Sequence, residues 1–177
     1  MSVHLILGGA RSGKSRYAES LVLAKKRITL TAITWQLRRL FDPEMQARIL
    51  HHQQRRGEQW SEHECPLALA PLINRFTDSD MVLVDCLTLW MNNLIYDLGE
   101  GACDDAIQSE VTKLVDALVD SPARIVLVSN EVGLGVVPLG EVTRLFVDHA
   151  GWMNQAIAAK ADEVTFIAAG LPMKLKG

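Results

Sequence analysis

An α/β fold with a mainly parallel central sheet and helices on both of its sides is predicted by three observations on this sequence. Short runs rich in Val, Ile and Leu recur along the chain, as in strands that are covered on both faces. Amphipathic helical patterns separate these runs. A glycine-rich segment directly follows the first run and precedes a helical pattern. Strands that alternate with helices are typical of a parallel sheet, and ligands bind at the carboxyl edge of such sheets.

The individual elements follow from these patterns. The predicted strands are Val3 to Leu7, Ile28 to Ile33, Met81 to Val84, Arg124 to Val128 and Glu163 to Ala168. Helical spacing is found for Ala18, Leu21 and Val22, for Cys86 to Asn93, for Ile107, Val111, Leu114, Val115 and Leu118, and for Met153 to Ala161. The sequence has no internal repeat, low-complexity tract or linker, so residues 1–177 are predicted to form a single domain.

Composition and charge limit the classes of function. The chain has 177 residues, of which 49% are hydrophobic and 22% charged. A domain of this length buries roughly 70% of the surface of its unfolded chain, which is enough for one core. The net charge of −3 gives no indication of a nucleic-acid partner. The first residues lack the layout of a signal peptide, and no apolar run reaches the ~18 residues of a membrane span. We therefore expect a cytoplasmic protein.

The glycine-rich segment from Gly8 to Ser15 reads GGARSGKS and carries the most specific motif of the chain. Gly8, four residues and then Gly13-Lys14-Ser15 is the spacing of the phosphate-binding loop of nucleoside triphosphatases. Glycines let the backbone N–H groups face phosphate oxygens, and the following helix adds the positive end of its dipole. Lys14 is predicted to reach the terminal phosphates and Ser15 to bind Mg²⁺. The predicted nucleotide-binding residues of this loop are Gly8, Gly9, Ala10, Arg11, Ser12, Gly13, Lys14 and Ser15. The fold is then a P-loop fold.

An acidic residue, Asp85, closes the third predicted strand. In phosphate-loop proteins such a residue commonly holds Mg²⁺, because a hard cation prefers carboxylate and phosphate oxygens. Asp85 is therefore predicted to hold the metal together with Ser15. The alternative is that Asp85 caps the helix predicted from Cys86 onward.

Polar residues also follow the fourth predicted strand, where Asn130 and Glu131 come directly after apolar residues. This is a position at which a side chain that faces the substrate is expected. A turn built from Ser129, Asn130 and Gly133 explains the same residues nearly as well.

The segment Asp42 to Trp60 contains two adjacent histidines, His51 and His52, followed by Arg55 and Arg56. One interpretation is a solvated amphipathic helix. The other is a nucleophile, because a neutral imidazole can attack phosphorus and a histidine with a pKa near 6.5 is largely neutral at pH 7. The arginines would then hold the nucleotide phosphates. From the residues alone both interpretations stay open.

A different metal site is a further alternative. The run His63-Glu64-Cys65 lies near the two histidines in sequence, but the spacings match no common ligand pattern. The three cysteines are scattered and are expected to be reduced thiols.

Five ordered segments of the chain resemble the adenosylcobinamide kinase/adenosylcobinamide-phosphate guanylyltransferases. The resemblance extends from Leu5 to about Lys176. The segments are GGARSGKSRYAE from Gly8, Arg48 to Trp60, Asp85 to Leu94, Ser129 to Pro138, and Ala150 to Val164. It implies a RecA-like, three-layer P-loop fold with a mainly parallel central sheet. It also implies phosphorylation of adenosylcobinamide by ATP or GTP. Transfer of GMP from GTP to adenosylcobinamide phosphate follows through a GMP-histidine, which gives adenosylcobinamide-GDP. A homotrimer is implied as well.

The resemblance also assigns residues. The family's guanylylated histidine precedes an arginine by four positions and a tryptophan by eight, which selects His52, with His51 as the fallback. The other matching nucleotide-binding positions are Thr34, Gln53, Gln54, Arg55, Arg56, Glu64 and Asp85.

Two departures from the family pattern affect these assignments. Gly57 replaces the proline usual after the arginine, and the segment Trp35 to Phe41 is longer than usual, which weakens the assignment of Thr34. The candidate apolar walls for the corrinoid are Trp35, Trp90 and Trp152, although tryptophans in such positions are more often core residues.

Two other functions stay open from the sequence. One is a small-molecule kinase that has the loop but forms no nucleotidyl-enzyme. The other is a nucleotide-dependent switch or binding module, although the chain has no guanine-reading N-K-x-D string.

Overall fold

The fold was obtained as a computed structural model, which describes residues 2–24, 29–34 and 60–177. The strands are β1 (Ser2–Gly8), β2 (Thr29–Thr34), β3 (Trp60–Glu64), β4 (Asp80–Asp85), β5 (Arg124–Asn130), β6 (Glu163–Ala168) and β7 (Leu171–Lys176). The helices are α1 (Lys14–Leu23), α2 (Leu69–Ile73), α3 (Leu87–Leu98), α4 (Asp104–Asp120) and α5 (Glu141–Lys160), with a 3₁₀ turn at Gly99–Gly101.

The strands of the described part of the chain form one sheet in the order β3-β2-β4-β5-β1-β6-β7. Neighbouring strands are parallel throughout, except that β7 runs antiparallel to β6. The predicted α/β class with a mainly parallel sheet is therefore confirmed. One strand, β5, separates β1 from β4, which carries Asp85. This insertion is the arrangement of RecA-like P-loop folds.

Apolar side chains of the central strands are buried on both faces of the sheet. On one face Ile6, Leu83 and Val128 pack with α1 around Val22. On the other face the alternate residues of the same strands form a larger core, which includes side chains of α2, α3, α4 and α5. Full burial of a Leu, Ile or Val side chain stabilises the fold by about 1.5–3 kcal/mol, which explains why these strands read as continuous apolar runs.

Two edge strands, the short helix α2 and parts of longer helices were not predicted. Strand β3 reads WSEHE, and all residues of β7 are exposed, so neither shows an apolar run. Pro172 in β7 is compatible with an edge strand, which needs fewer ladder hydrogen bonds. Helix α5 begins at Glu141, well before the predicted Met153, and the first three of its residues are exposed. Within the described ranges no helix is both long and apolar enough to cross a bilayer.

Candidate functional site

The phosphate-binding motif forms the connection between β1 and α1, as the sequence predicts. β1 ends at Gly8 and α1 begins at Lys14, with Gly13 at the capping position. Gly13 has φ 97°, a left-handed conformation that glycine adopts without strain, and Arg11 has φ 56°. Gly8 is required for a different reason. A Cβ atom there would lie 2.6 Å from the Ile167 carbonyl oxygen and 2.7 Å from Ser12 Oγ.

Neighbouring elements hold the loop on two sides. The Gly170 N–H, in the turn between β6 and β7, donates to the Ser12 carbonyl oxygen at 2.8 Å. The Glu131 N–H, just past β5, donates to the Gly8 carbonyl oxygen at 3.1 Å. The shape of the loop is therefore fixed by the sheet before any nucleotide binds, which lowers the ordering cost of binding.

Lys14 lies inside the loop. Its ammonium donates to the Gly9 carbonyl oxygen at 2.9 Å, and the residue is 8% exposed. Burial lowers the pKa of Lys14, and the neighbouring carboxylate of Asp85 acts in the opposite direction. A buried ammonium with one backbone partner still has donors for phosphate oxygens, since a lysine carries three N–H groups. The position agrees with the predicted role of Lys14 as a phosphate ligand.

Ser15, the second residue of α1, lies beside Asp85, the last residue of β4. The Ser15 hydroxyl donates to Asp85 Oδ1 at 3.3 Å. A hydroxyl and a carboxylate side by side form an oxygen donor set that suits Mg²⁺, with phosphate oxygens and water as its remaining ligands. Burial raises the pKa of the neighbouring Cys86 thiol to about 11, and the Asp85 carboxylate acts in the same direction.

The capping alternative for Asp85 is wrong. Helix α3 begins at Leu87, and the residue at its capping position is Cys86, which makes no side-chain capping bond. Asp85 is the last residue of β4 instead.

The other predicted nucleotide-binding residues on the sheet share its carboxyl edge with Asp85. Thr34 at the end of β2 pairs in register with Glu64 of β3 on one side and with Asp85 of β4 on the other. Neighbouring strands lie about 4.8 Å apart, so the backbones at Glu64 and Asp85 are about 10 Å apart across this row. Glu64 is exposed at the end of its strand. The residues Asp85, Thr34 and Glu64 therefore form a row along the carboxyl edge of the sheet that extends from the phosphate loop toward β3.

The end of β5 carries a cluster of buried polar groups. Asn130 pairs in register with Gly8, and its N–H donates to Thr88 Oγ1 at 2.7 Å. The Asn154 side-chain amide of α5 donates to the Asn130 carbonyl oxygen at 3.3 Å. Thr88 and Asn154 were not identified from the sequence as site residues, because a single polar residue in a helix gives no sign of its burial.

Several predicted residues lie outside the described residues. These are Trp35, His51, His52, Gln53, Gln54, Arg55, Arg56 and Gly57. Of the alternative metal site, His51 and His52 lie outside the described residues, and His63, Glu64 and Cys65 belong to no cluster of three potential ligands within the part of the chain that the structure describes.

The tryptophans have different environments. Trp90 is 2% exposed, and its indole N–H donates to the Leu67 carbonyl oxygen at 3.0 Å. It is therefore a core residue, and the interpretation of Trp90 as a wall for the corrinoid is wrong. Trp152 is 46% exposed and packs edge-on against the ring of His149, 4.9 Å between centroids.

Comparison with known proteins adds to this geometry. Residues 4–175 match the family described as cobinamide kinase / cobinamide phosphate guanyltransferase. The chain is similar to the bifunctional adenosylcobalamin biosynthesis protein CobP of Pseudomonas aeruginosa, with 49% identity over 98% of this chain and 96% of that protein. It is also similar to CobU of Escherichia coli, described in the same words, with 39% identity over 97% of this chain and 98% of that protein.

A solved structure from Pyrococcus horikoshii OT3, titled a structural study of PH0250, has the same fold. The TM-score is 0.58 at 6% sequence identity, with 99% of this chain and 86% of that chain covered. At this identity the similarity concerns the fold.

Proposed function

The chain belongs to the family of cobinamide kinases and cobinamide phosphate guanyltransferases, which places it in adenosylcobalamin biosynthesis, and from this premise we propose that it catalyses two steps at one nucleotide site. The first is phosphorylation of adenosylcobinamide by ATP or GTP. The second is transfer of GMP from GTP to adenosylcobinamide phosphate through a GMP-histidine. The observation that carries the proposal is the phosphate loop, in which Lys14 binds the Gly9 carbonyl oxygen and Ser15 contacts Asp85 at the end of β4.

In the kinase step, the hydroxyl oxygen of the aminopropanol arm attacks the γ-phosphorus. The bond from the γ-phosphorus to the β,γ-bridging oxygen breaks, the nucleoside diphosphate leaves and the hydroxyl proton is released. Lys14 and the N–H groups of the loop hold the phosphate oxygens and offset their charge. Mg²⁺ held by Ser15 and Asp85 would add Lewis-acid neutralisation at the same phosphates.

In the guanylyl step, an imidazole nitrogen of His52 attacks the α-phosphorus of GTP. The bond to the β-phosphate breaks and pyrophosphate leaves. A phosphate oxygen of adenosylcobinamide phosphate then attacks the same phosphorus, and the P–N bond breaks to release free histidine. The covalent intermediate divides one transfer into two displacements that each need only alignment and charge neutralisation. His52 is chosen on its family register relative to Arg56 and Trp60.

Intact-mass measurement with GTP and Mg²⁺ tests the guanylyl step. The native protein is expected to gain the mass of one GMP, and His52→Ala is expected to lose this adduct. His51→Ala is the matched control, because it changes the adjacent histidine and should keep the adduct. Labelling that persists in His52→Ala and disappears in His51→Ala would move the nucleophile by one residue. An unlabelled native protein that still phosphorylates adenosylcobinamide would show a kinase without nucleotidyl transfer.

The shared site is tested by Lys14→Ala. Both activities should fall by at least about a hundredfold, since a lost charged donor to the transferring phosphates costs about 3 kcal/mol. Survival of both reactions would mean that the nucleotide site is elsewhere. A native protein that binds GTP but does not turn over adenosylcobinamide would instead be a switch or binding module. Sedimentation of the same samples tests the homotrimer that the family resemblance implies.

A further inference from the structure

The segment that follows β5, residues 131–140, which we call the β5–α5 loop, carries unusually exposed aliphatic side chains. The exposed fractions are 79% for Leu134, 95% for Val136, 74% for Val137 and 97% for Leu139. Single exposed apolar residues are ordinary on protein surfaces, but four within six positions form a patch of the kind that binds a ligand or partner.

The β5–α5 loop is nevertheless fixed in place by polar contacts. The Gly133 N–H donates to Glu131 Oε1 at 2.9 Å. At the other end the Arg144 guanidinium donates to the Pro138 carbonyl oxygen at 3.1 Å, and also to the Leu139 carbonyl oxygen. The backbone therefore holds the apolar side chains outward in a defined shape, and a ligand would pay little ordering entropy on contact with them.

The loop begins at the phosphate site. The Glu131 N–H binds the Gly8 carbonyl oxygen at 3.1 Å, so the first residue of the β5–α5 loop touches the first residue of the phosphate loop. A molecule that receives the terminal phosphoryl group must place its hydroxyl beside this site. The rest of that molecule then has to lie over a segment that borders the phosphate loop, and the β5–α5 loop is such a segment.

Asn130, directly before the loop, offers a place for the hydroxyl. Val126 and Val128 pack on the α1 face of the sheet, and strand alternation puts the Asn130 side chain on the same face. Asp85 of β4 lies on this face too and pairs with Val128, so the backbones at Asp85 and Asn130 are about 8 Å apart.

The polar atoms around Asn130 indicate what it would bind. Asn130 Oδ1 and Asn154 Oδ1 are shielded from solvent, and neither has a hydrogen-bond partner within the described residues. The orientation of the Asn154 amide is fixed, because its nitrogen donates to a carbonyl oxygen. Buried polar atoms are normally satisfied, so unfilled acceptors at this edge indicate a missing donor. A phosphate oxygen offers no donor at neutral pH when it is ionised, whereas an alcohol does.

We propose that Asn130 and the β5–α5 loop form the binding site of the phosphoryl acceptor. The carboxamide of Asn130 accepts a hydrogen bond from the attacking alcohol, and the exposed aliphatic side chains of the loop cover the corrin macrocycle. This inference rests on the proposed function, since it takes adenosylcobinamide as the acceptor. It assigns the acceptor to the β5 side of the phosphate loop and leaves the opposite side, toward Thr34 and Glu64, to the nucleotide.

Charged substitutions on the loop test the proposal without disturbing the core. Val136→Asp and Leu139→Asp change side chains that are 95% and 97% exposed, so folding should be unaffected. Each is expected to raise the KM for adenosylcobinamide at least tenfold while the KM for the nucleotide stays within twofold. Leu175→Asp is the matched control, since Leu175 is 58% exposed on β7 at the opposite, amino edge of the sheet. It should leave both KM values unchanged.

Asn130→Ala tests the polar part in the same assay. It should raise the KM for adenosylcobinamide or lower kcat by at least tenfold, with nucleotide binding retained. Unchanged acceptor kinetics in all three variants would overturn the inference. So would a loss of activity in Val136→Asp and Leu139→Asp that accompanies dissociation of an oligomer in sedimentation, because the loop would then contact a second copy of the chain. Failure of the proposed function is separable, since the native protein itself would then not phosphorylate adenosylcobinamide.

Discussion

Replacement of Gly8 by alanine should destabilise the protein through a steric conflict that the structure defines. The added methyl group would lie 2.6 Å from the Ile167 carbonyl oxygen and 2.7 Å from Ser12 Oγ. Ser12 can rotate its side chain, but the Ile167 oxygen belongs to the backbone of β6, which is paired to β1. Relief of the contact requires the strands to separate by several tenths of an ångström. Overpacking of this kind costs about 1–3 kcal/mol. A cost of about 2 kcal/mol, the midpoint of that range, lowers the Tm of a domain of this size by about 4–8 °C.

The assay is urea or thermal unfolding of the nucleotide-free protein. Gly9→Ala is the matched control, because a Cβ atom at Gly9 meets nothing within 4 Å, and its unfolding free energy should stay within about 0.5 kcal/mol of the native value. The unfolding free energy of Gly13→Ala should lie between those of the native protein and Gly8→Ala, or close to that of Gly8→Ala. Gly13 has φ 97°, and a Cβ atom there would lie 3.3 Å from Gly170 Cα. Equal stability of the Gly8 and Gly9 variants would refute the steric argument.

Three further predictions concern charge and hydrogen bonding. Burial lowers the pKa of Lys14 in the free protein, whereas bound phosphates favour its charged form, so nucleotide affinity should fall as pH rises above the lowered pKa. Calorimetry at several alkaline pH values should therefore detect proton uptake on nucleotide binding. Lys14→Met should abolish this proton uptake. Asp85→Asn should raise the Mg²⁺ concentration needed for half-maximal activity about tenfold or more, because it removes a carboxylate beside Ser15. A Mg²⁺ titration of activity in which this concentration is unchanged would contradict the metal role of Asp85. Asp104→Ala should lower the unfolding free energy by about 0.5–1.5 kcal/mol more than Asp105→Ala, its control in the same helical turn, because Asp104 Oδ1 lies 3.0 Å from Nε2 of the buried His149. Equal unfolding free energies of the two variants in urea denaturation would show that this contact contributes nothing.

The central strands could be predicted from the sequence because burial on both faces leaves a continuous apolar run. Strands β3 and β7 were not predicted for the same reason: one or both of their faces are exposed, so their sequences are polar or mixed and contain no apolar run. Pairing with β2 and β6 makes these segments strands, and pairing is a property of the whole fold. Helix α5 was recognised only in its second half; its first three residues are exposed, but Leu145 and Phe146 pack against the core and could have extended the helical pattern.

The candidate site could be predicted where spacing carries the chemistry. The phosphate loop and Asp85 were identified because glycines, lysine and a carboxylate are needed at fixed positions after apolar strands. Thr88 and Asn154 were not, since their importance comes from contacts with Asn130 across the fold. Trp90 was misassigned because the sequence does not distinguish a helical tryptophan that packs in the core from one that lines a pocket. The role of His52 stays a prediction.

The position of β1 between β5 and β6 has a consequence for synthesis of the protein. The phosphate loop precedes both strands that flank β1, which begin at Arg124 and Glu163, and it also precedes Gly170, whose N–H binds the Ser12 carbonyl oxygen. The loop therefore acquires its shape only after residues 124–170 have been synthesised. Nucleotide can stabilise the finished molecule, but it cannot guide the folding of the emerging one.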